Sequence, residues 1–314
     1  MKNDHVIAFY NLENLFDTKD DPHTLDDDFT PKGFKKWRDG RYRSKLKKLG
    51  KAISKIGEEE GLAPPVILGI AEVENDRVVE KLLQTKYLKE TPFGYVHFES
   101  PDERGIDTGL IYNKEHFKVK EAETIPLLIE NTNGDRDFTR DILYVKGKLH
   151  GEEVHIFVNH WPSRRDGAEK TNYKRLAAAQ TIIDKLNSLS EAPETLHSII
   201  MGDFNDEPNS DSIQKLMETG WFINPFQQLL SPYKGSANYK GTWSLFDQIL
   251  VSHSFMNYAP GTHRFQKAAI FAPKFLKEWK GKYKGNPFRT FAGKKYIGGY
   301  SDHFPVYVQL HFND

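Results

Sequence analysis

The chain has 314 residues, 44 basic against 44 acidic side chains, 38% hydrophobic content and no cysteine. That length supports a large buried core in one or two domains. Zero net charge excludes a whole-molecule attraction to nucleic acid or membrane, and the missing cysteines exclude disulfides, thiolate metal sites and thiol nucleophiles while leaving the redox compartment open.

Met1-Lys2-Asn3-Asp4-His5-Val6 lacks the roughly seven apolar residues of a signal h-region, and no run approaches the roughly 18 apolar residues of a membrane span. The expectation is a cytoplasmic, soluble chain, or a secreted one whose signal peptide has been removed.

In chain order, an apolar run predicts a first strand at 6–12. Leu46, Leu49, Ile53 and Ile56, at three- and four-residue spacing, then predict an amphipathic helix. Strands follow at 66–73, 109–112, 142–149 and 154–160. Leu176, Ala179, Ile183 and Leu186 mark a second helix. A strand at 198–204 precedes a short helix over 213–217, with N-cap chemistry at Asn209-Ser210-Asp211 and a stop at Gly220. Strands at 248–251 and 304–312 complete the chain, the last placing Phe304, Val306, Val308, Leu310 and Phe312 on one face. Strands occur near both ends and no repeat, linker or composition break interrupts them, so residues 1–314 are expected to form one domain. Strands without strict βαβ alternation suggest mixed sheets packed together with helices outside.

Three segments carry concentrated charge. Asp17, Asp20, Asp21, Asp26, Asp27 and Asp28 form an acidic run. The segment from Lys32 to Lys51 is basic and includes Trp37 and Tyr42. The segment from Lys274 to Lys295 mixes Lys277, Lys280, Lys282, Lys284 and Arg289 with Phe275, Trp279, Tyr283, Phe288 and Phe291. Each is by default a solvated face or loop.

Polar residues where apolar runs end are more informative, because a strand holds an emerging side chain rigidly. Five runs end so: Phe9-Tyr10-Asn11-Leu12-Glu13-Asn14, Gly69-Ile70-Ala71-Glu72-Val73, Phe157-Val158-Asn159-His160-Trp161, Met201-Gly202-Asp203-Phe204-Asn205 and Ser301-Asp302-His303-Phe304-Pro305. A sixth, Leu245-Phe246-Asp247-Gln248-Ile249, begins a strand with a carboxylate. Singly, each has a bland reading: Asn11 caps a turn, Glu72 pairs with a lysine, Asp203 and Asn205 form an Asx-turn. Six separate turns seldom all supply hard oxygen donors, amides and histidines. Competing logics are absent: no Gly-x-x-x-x-Gly-Lys loop, no Gly-x-Ser-x-Gly elbow and no His-Glu-x-x-His helix.

The order Asn-x-Glu, Glu, His, Gly-Asp-Phe-Asn, Asp-x-Ile, Ser-Asp-His resembles the endonuclease/exonuclease/phosphatase superfamily, whose members include deoxyribonuclease I, exonuclease III and neutral sphingomyelinases. The resemblance runs from Asn11 to His303. It implies an α/β four-layer sandwich, two mixed β-sheets flanked by helices, and a metal-dependent phosphodiesterase working by direct water attack. The implied metal residues are Glu72, Asn11, Asp302 and Glu13, with Mg²⁺ as cofactor and Mn²⁺ or Ca²⁺ as alternatives. The implied catalytic residues are Asp203, Asn205, His303 paired with Asp247, and His160, a general-acid candidate paired with Asp107. Arg140 and Asn205 match phosphate contacts.

Where deoxyribonuclease I has a groove-reading arginine after its metal glutamate, this chain has Glu74, and the companion tyrosine position is Gly105. Minor-groove reading of that kind is therefore not expected. An endo- or exonuclease on DNA or RNA is the leading expectation, with nucleic acid held through Lys274 to Lys295 and Lys32 to Lys51. The alternative is a phosphatase or phosphodiesterase on a lipid head group or small phosphorylated metabolite. A non-enzymatic module of the same fold would require lost site residues, and all six motifs are filled.

Overall fold

A computed structural model describes residues 3–131 and 133–314. Its strands in chain order are β1 (Asp4–Leu15), β2 (Ile67–Val73), β3 (Phe93–His97), β4 (Asp107–Asn113), β5 (Phe117–Ile125), β6 (Ile142–Leu149), β7 (Glu152–His160), β8 (Ser198–Asp203), β9 (Phe222–Ile223), β10 (Asp247–Ser252), β11 (His263–Ile270) and β12 (Val306–Phe312). The main helices are α1 (Asp39–Ile53), α2 (Asp76–Leu83), α3 (Asn172–Leu189) and α4 (Asp211–Met217). Three two-stranded ribbons decorate the loops.

The strands form two six-stranded mixed sheets, ordered β11-β12-β1-β2-β4-β3 and β9-β10-β8-β7-β6-β5. β1 runs parallel to β2 and antiparallel to β12; β8 runs parallel to β7 and antiparallel to β10. Strand alternation explains the layering. Along β1, Val6, Ala8, Tyr10 and Leu12 pack with Leu46, Leu49 and Ile53 of α1 and Val78, Val79 and Leu82 of α2. Ile7 and Phe9 point the other way, into a core shared with Ile199 and Met201 of β8 and Val306, Val308 and Leu310 of β12. Ile200 faces outward again, onto Ala178, Ala179 and Ile182 of α3 and Ile213 and Leu216 of α4. The order is helices, sheet, sheet, helices. The sheets meet so closely that a Cβ on Gly69 of β2 would lie 2.5 Å from the Met201 sulfur.

Several sequence expectations shift slightly. On α3 the buried stripe is Arg175, Ala178, Ala179, Ile182 and Leu186, with Leu176 and Ile183 only partly covered. Phe304 precedes β12 because Pro305 has no N–H for the ladder. Its ring joins the helix-side core instead and stacks on Trp243. Trp37 is not on a solvated basic face: it is fully buried with Phe16 and Phe291, and its indole N–H donates to the Phe16 carbonyl. No helix among the described residues is long and apolar enough to cross a membrane.

Candidate active site

The six motifs meet at one edge of the two sheets. Parallel pairing sets Asp203 of β8 beside His160 of β7, and antiparallel pairing sets it beside Asp247 of β10. These three side chains therefore leave the second sheet in one row. From the first sheet, β1 and β2 both break register at the same level, between Asn11 and Leu15 and between Ala71 and Val73. A bulge leaves one residue unpaired and re-aims it. Glu72 is that residue, with φ 61°, and Glu13, Asn14 and Asn205 also sit near φ 50°. Left-handed backbone is costly for glutamate, less so for asparagine, and collects at sites where a side chain must be placed.

Hydrogen bonds then fix the row. Asn11 donates from Nδ2 to Asp203 Oδ2 at 3.1 Å, while its Oδ1 accepts from the Glu13 amide. The Asn14 amide donates to Glu72 Oε2 at 2.8 Å. The Asn205 amide donates to Asp203 Oδ1, and Asn205 Nδ2 donates to the Trp161 carbonyl. His303 Nδ1 lies 2.6 Å from Asp247 Oδ2. His303 Nε2 stands 3.9 Å from Asp203 Oδ2, and His160 Nε2 stands 3.8 Å from the same oxygen and 3.9 Å from Glu72 Oε1. Asn11, Glu72, His160, Asp203, Asn205, Asp247 and His303 thus belong to one constellation.

Burial and charge push its titrating groups apart. Burial lifts Asp203 from 3.8 to about 6; the His303 charge opposes this and the Asp247 charge adds to it. Burial works to lower His303, but the Asp247 charge and hydrogen bond, with Asp203 and Asp302, outweigh it and hold the imidazole well above its usual value. His160 moves the opposite way. Burial lowers it well below the usual value, and the Arg140, Arg104 and His303 charges reinforce that.

Three expectations meet a different geometry. Asp107 does not partner His160: its carboxylate takes His97 Nε2 at 3.1 Å and both the amide and hydroxyl of Ser100, while His160 Nδ1 is buried with no hydrogen-bond partner. The reason is register, since His97 pairs next to Gly109 at the β3–β4 end and reaches Asp107 first. Arg140 is buried behind the site, donating to the His160 and Trp161 carbonyls and, at 2.8 Å, to Asp102. It anchors the end of β7. Glu13 and Asp302 are both engaged by protein cations: Arg289 holds Asp302, and Glu13 lies 3.5 Å from Lys45 Nζ and 3.7 Å from Arg289 Nε.

Lys45 and Asp206 are the parts of this frame that sequence reading missed, and Arg289, assigned from sequence to a substrate-binding segment, engages Asp302 and Glu13 instead. Lys45 sits beside the buried stripe of α1 and donates to Thr290 and to the Tyr300 carbonyl, each at 2.6 Å. Asp206 ion-pairs with Arg175 and Arg164, and Arg164 also donates to the Asn205 carbonyl. A lysine within an apolar helical stripe was the available signal for the first.

Cation–π and backbone contacts join the two basic segments. Lys35 donates to the Gly293 carbonyl and Lys48 to that of Gly298, Arg41 covers the Tyr296 ring, and Lys51 covers Phe275. The α1 cations are thus largely used in holding down the later segment. That segment leaves 279–284 exposed, with Trp279 68% and Tyr283 53% accessible. A cavity of about 330 Å³ opens beside the constellation, lined among others by Tyr239, Lys240, Tyr283, Arg289 and Asp302.

A comparison with curated protein sequences returns no match. Solved structures share the fold across nearly the whole chain. A family protein from Bacteroides thetaiotaomicron superposes with TM-score 0.61 at 16% identity, covering 99% of this chain and 98% of that one. A mannosyl-6-phosphatase from the same organism gives 0.59 at 16%, covering 98% and 100%. TDP2 from D. rerio, complexed with a single-strand DNA product, gives 0.54 at 15%, covering 98% and 99%. The model of the Endonuclease/Exonuclease/phosphatase family matches residues 6–312. With that match across almost its full length, the chain belongs to the endonuclease/exonuclease/phosphatase family.

Proposed function

We propose that residues 1–314 form one catalytic domain, a divalent-metal-dependent phosphodiesterase that cleaves nucleic acid by direct attack of water. The observation that carries this reading is the convergence of Glu72, Asp203, Asp247, Asn11 and two oppositely tuned histidines at one sheet edge.

The donor set suits a hard cation. Glu72 and Asn11 offer oxygen, Asp247 Oδ1 is buried without a partner, and one carboxylate oxygen each of Asp203 and Asp247 lie within 4.8 Å of one another. Mg²⁺ fits such oxygen donors, as do Mn²⁺ and Ca²⁺. A divalent cation bound there supplies charge neutralisation at a non-bridging phosphate oxygen. Asp203, poised near 6, takes a proton from the attacking water close to neutral pH. His303, held protonated by Asp247, presents positive charge and an N–H to a phosphate oxygen, and Asn205 offers its second amide hydrogen. His160 rests neutral, a hydrogen-bonding group rather than a charge. Such separation of like groups is how one site holds acid and base roles together.

Nucleic acid is favoured by the rim. Exposed Trp279, Tyr283 and Tyr239 stand among Lys280, Lys282 and Lys240, the mixture of aromatic faces and cations that holds a single-stranded backbone with unstacked bases. A small phosphorylated metabolite or lipid head group is the second reading, favoured by the cavity beside Arg289 and by the likeness to a mannosyl-6-phosphatase. A panel of single-stranded DNA, plasmid, RNA, sphingomyelin, sugar phosphates and a chromogenic diester, under Mg²⁺, Mn²⁺ and Ca²⁺ with chelator controls, decides. Turnover confined to monoesters would overturn the nuclease reading.

A further inference from the structure

The opposite end of the sandwich carries a second cluster with ligand chemistry. His5 opens β1, His263 opens β11, His116 lies in the turn before β5 and His150 in the turn between β6 and β7. The first sheet supplies two imidazoles, the crossover from β4 to β5 a third, and the β6–β7 turn of the second sheet the fourth. His5 lies six residues before Asn11 along β1, so about 20 Å separates this cluster from the catalytic edge. The His5 and His150 rings stack with centroids 4.3 Å apart, and His116 Nδ1 lies 2.8 Å from His150 Nε2.

The hydrogen-bond chain behind these rings determines one tautomer. Glu152 Oε2 accepts from the His263 amide at 3.0 Å and contacts His263 Nδ1 at 2.5 Å. An ionised carboxylate only accepts, so His263 Nδ1 carries the hydrogen, and in the neutral ring its Nε2 is an acceptor. His5 Nδ1, 2.9 Å from that Nε2, must then be the donor. This leaves His5 Nε2 with a free lone pair, and that atom is buried with no partner. A buried polar atom without a partner is costly, and a chain of carboxylate and imidazole behind a histidine is the arrangement that orients metal ligands. One ligand nitrogen each of His5, His116 and His150 lie within 4.8 Å of one another. Burial also favours the neutral ring that ligation requires, lowering His5, His116 and His150 alike.

We infer that His5, His116 and His150 bind a transition-metal ion of the Zn²⁺ class, with Glu152 and His263 orienting His5, and that this ion clips the two sheets together at the pole away from catalysis. Imidazole nitrogens select Zn²⁺, Co²⁺ or Ni²⁺ over Mg²⁺. Ligation replaces the hydrogen bond between His116 and His150; the proton moves to the other nitrogen of the same neutral ring, so none is released.

The test uses the full chain with Zn²⁺ as probe in excess Mg²⁺, and two variants. His150→Asn suits the left-handed backbone at φ 50°, and His116→Gln changes the second accessible ring. Melting in chelator reports whether each variant folds. After dialysis the wild type should retain one more zinc ion per chain than either variant. Added Zn²⁺ should raise the wild-type melting temperature by several degrees and leave both variants unmoved, while Mg²⁺-supported hydrolysis is equal in all three. Co²⁺ should give visible bands of imidazole-bound cobalt in the wild type alone. Equal zinc retention by the wild type and the two folded variants overturns the inference.

Discussion

Arg289 donates to the Asp302 carboxylate, and its Nε lies 3.7 Å from Glu13. One cation from the basic segment therefore engages two carboxylates that the sequence offers as metal ligands, and Lys45 supplies a second positive charge beside Glu13. The charge left to attract a cation falls mainly on Glu72 and Asp203, since Asp247 is paired with His303. Arg289→Ala releases Asp302, leaves Glu13 to Lys45 and the Thr290 amide, and should lower kcat/KM at least ~10-fold, the scale of a lost positioning contact. If those carboxylates join the metal shell, the half-saturating Mg²⁺ concentration should fall as well. An unchanged metal requirement would remove Asp302 and Glu13 from it.

Glu72→Gln keeps the shape of the bulged side chain and its acceptor for the Asn14 amide, but removes the charge. Activity should fall by a factor on the order of 10³, with partial recovery at high metal. Chelator should abolish wild-type turnover. Undiminished turnover in chelator would sink the metal-dependent mechanism.

The pH dependence has a definite sign. The folded chain binds a proton at Asp203 up to about pH 6, whereas the unfolded chain releases it near 3.8. That stability contribution is fully present below pH 3.8 and lost as pH rises through 6. Two units correspond to roughly 3 kcal/mol for this buried group. Without metal, Asp203→Asn should gain melting temperature relative to wild type between pH 4 and 7, by several degrees, while losing activity. A constant difference across that range would contradict the raised carboxyl. His303 supplies the other limb: its stabilisation by Asp247 is complete below pH 6.5 and is lost only as pH passes its raised value. Activity should therefore rise through pH 6 and fall only at alkaline pH, and His303→Ala should cost at least ~100-fold.

Asp107→Asn separates two accounts of His160. Were the two a dyad, the variant would shift the pH profile of hydrolysis. Since Asp107 serves His97 and Ser100, the expected result is an unchanged profile and a loss of about 1–3 kcal/mol in chemical denaturation, the scale of a buried hydrogen-bonded charge. A moved profile with unchanged stability would restore the dyad.

The exposed rim discriminates polymer from small substrates. Lys280→Ala, Lys282→Ala and Lys284→Ala together should raise KM for DNA or RNA and flatten its salt dependence, because each phosphate contact releases counterions. Hydrolysis of a chromogenic diester should hardly change. A lipid-directed enzyme would instead lose binding to anionic vesicles. Wild-type behaviour on polymer and vesicle at every salt concentration would leave the segment a solvated surface.

Eight strands were legible in the chain, and they are the eight interior strands of the two sheets, β1, β2, β4, β6, β7, β8, β10 and β12. The four edge strands were not. β5, Phe-Lys-Val-Lys-Glu-Ala-Glu-Thr-Ile, and β11, His-Arg-Phe-Gln-Lys-Ala-Ala-Ile, carry charges because an edge must resist pairing with other chains, and those charges dilute the apolar pattern. The short helix α2 escaped for want of length. The motifs at strand ends named Asn11, Glu72, His160, Asp203, Asn205, Asp247 and His303, since local residue type and a strand terminus are both written in sequence. Which carboxylate meets which cation is not so written. Asp107 meets His97 rather than His160, Glu13 meets Lys45 and Arg289, and His5, His116 and His150 meet at the far pole with His263 behind His5. Those pairings join positions up to hundreds of residues apart, so only sheet order, register and the packing of one sheet on the other could decide them.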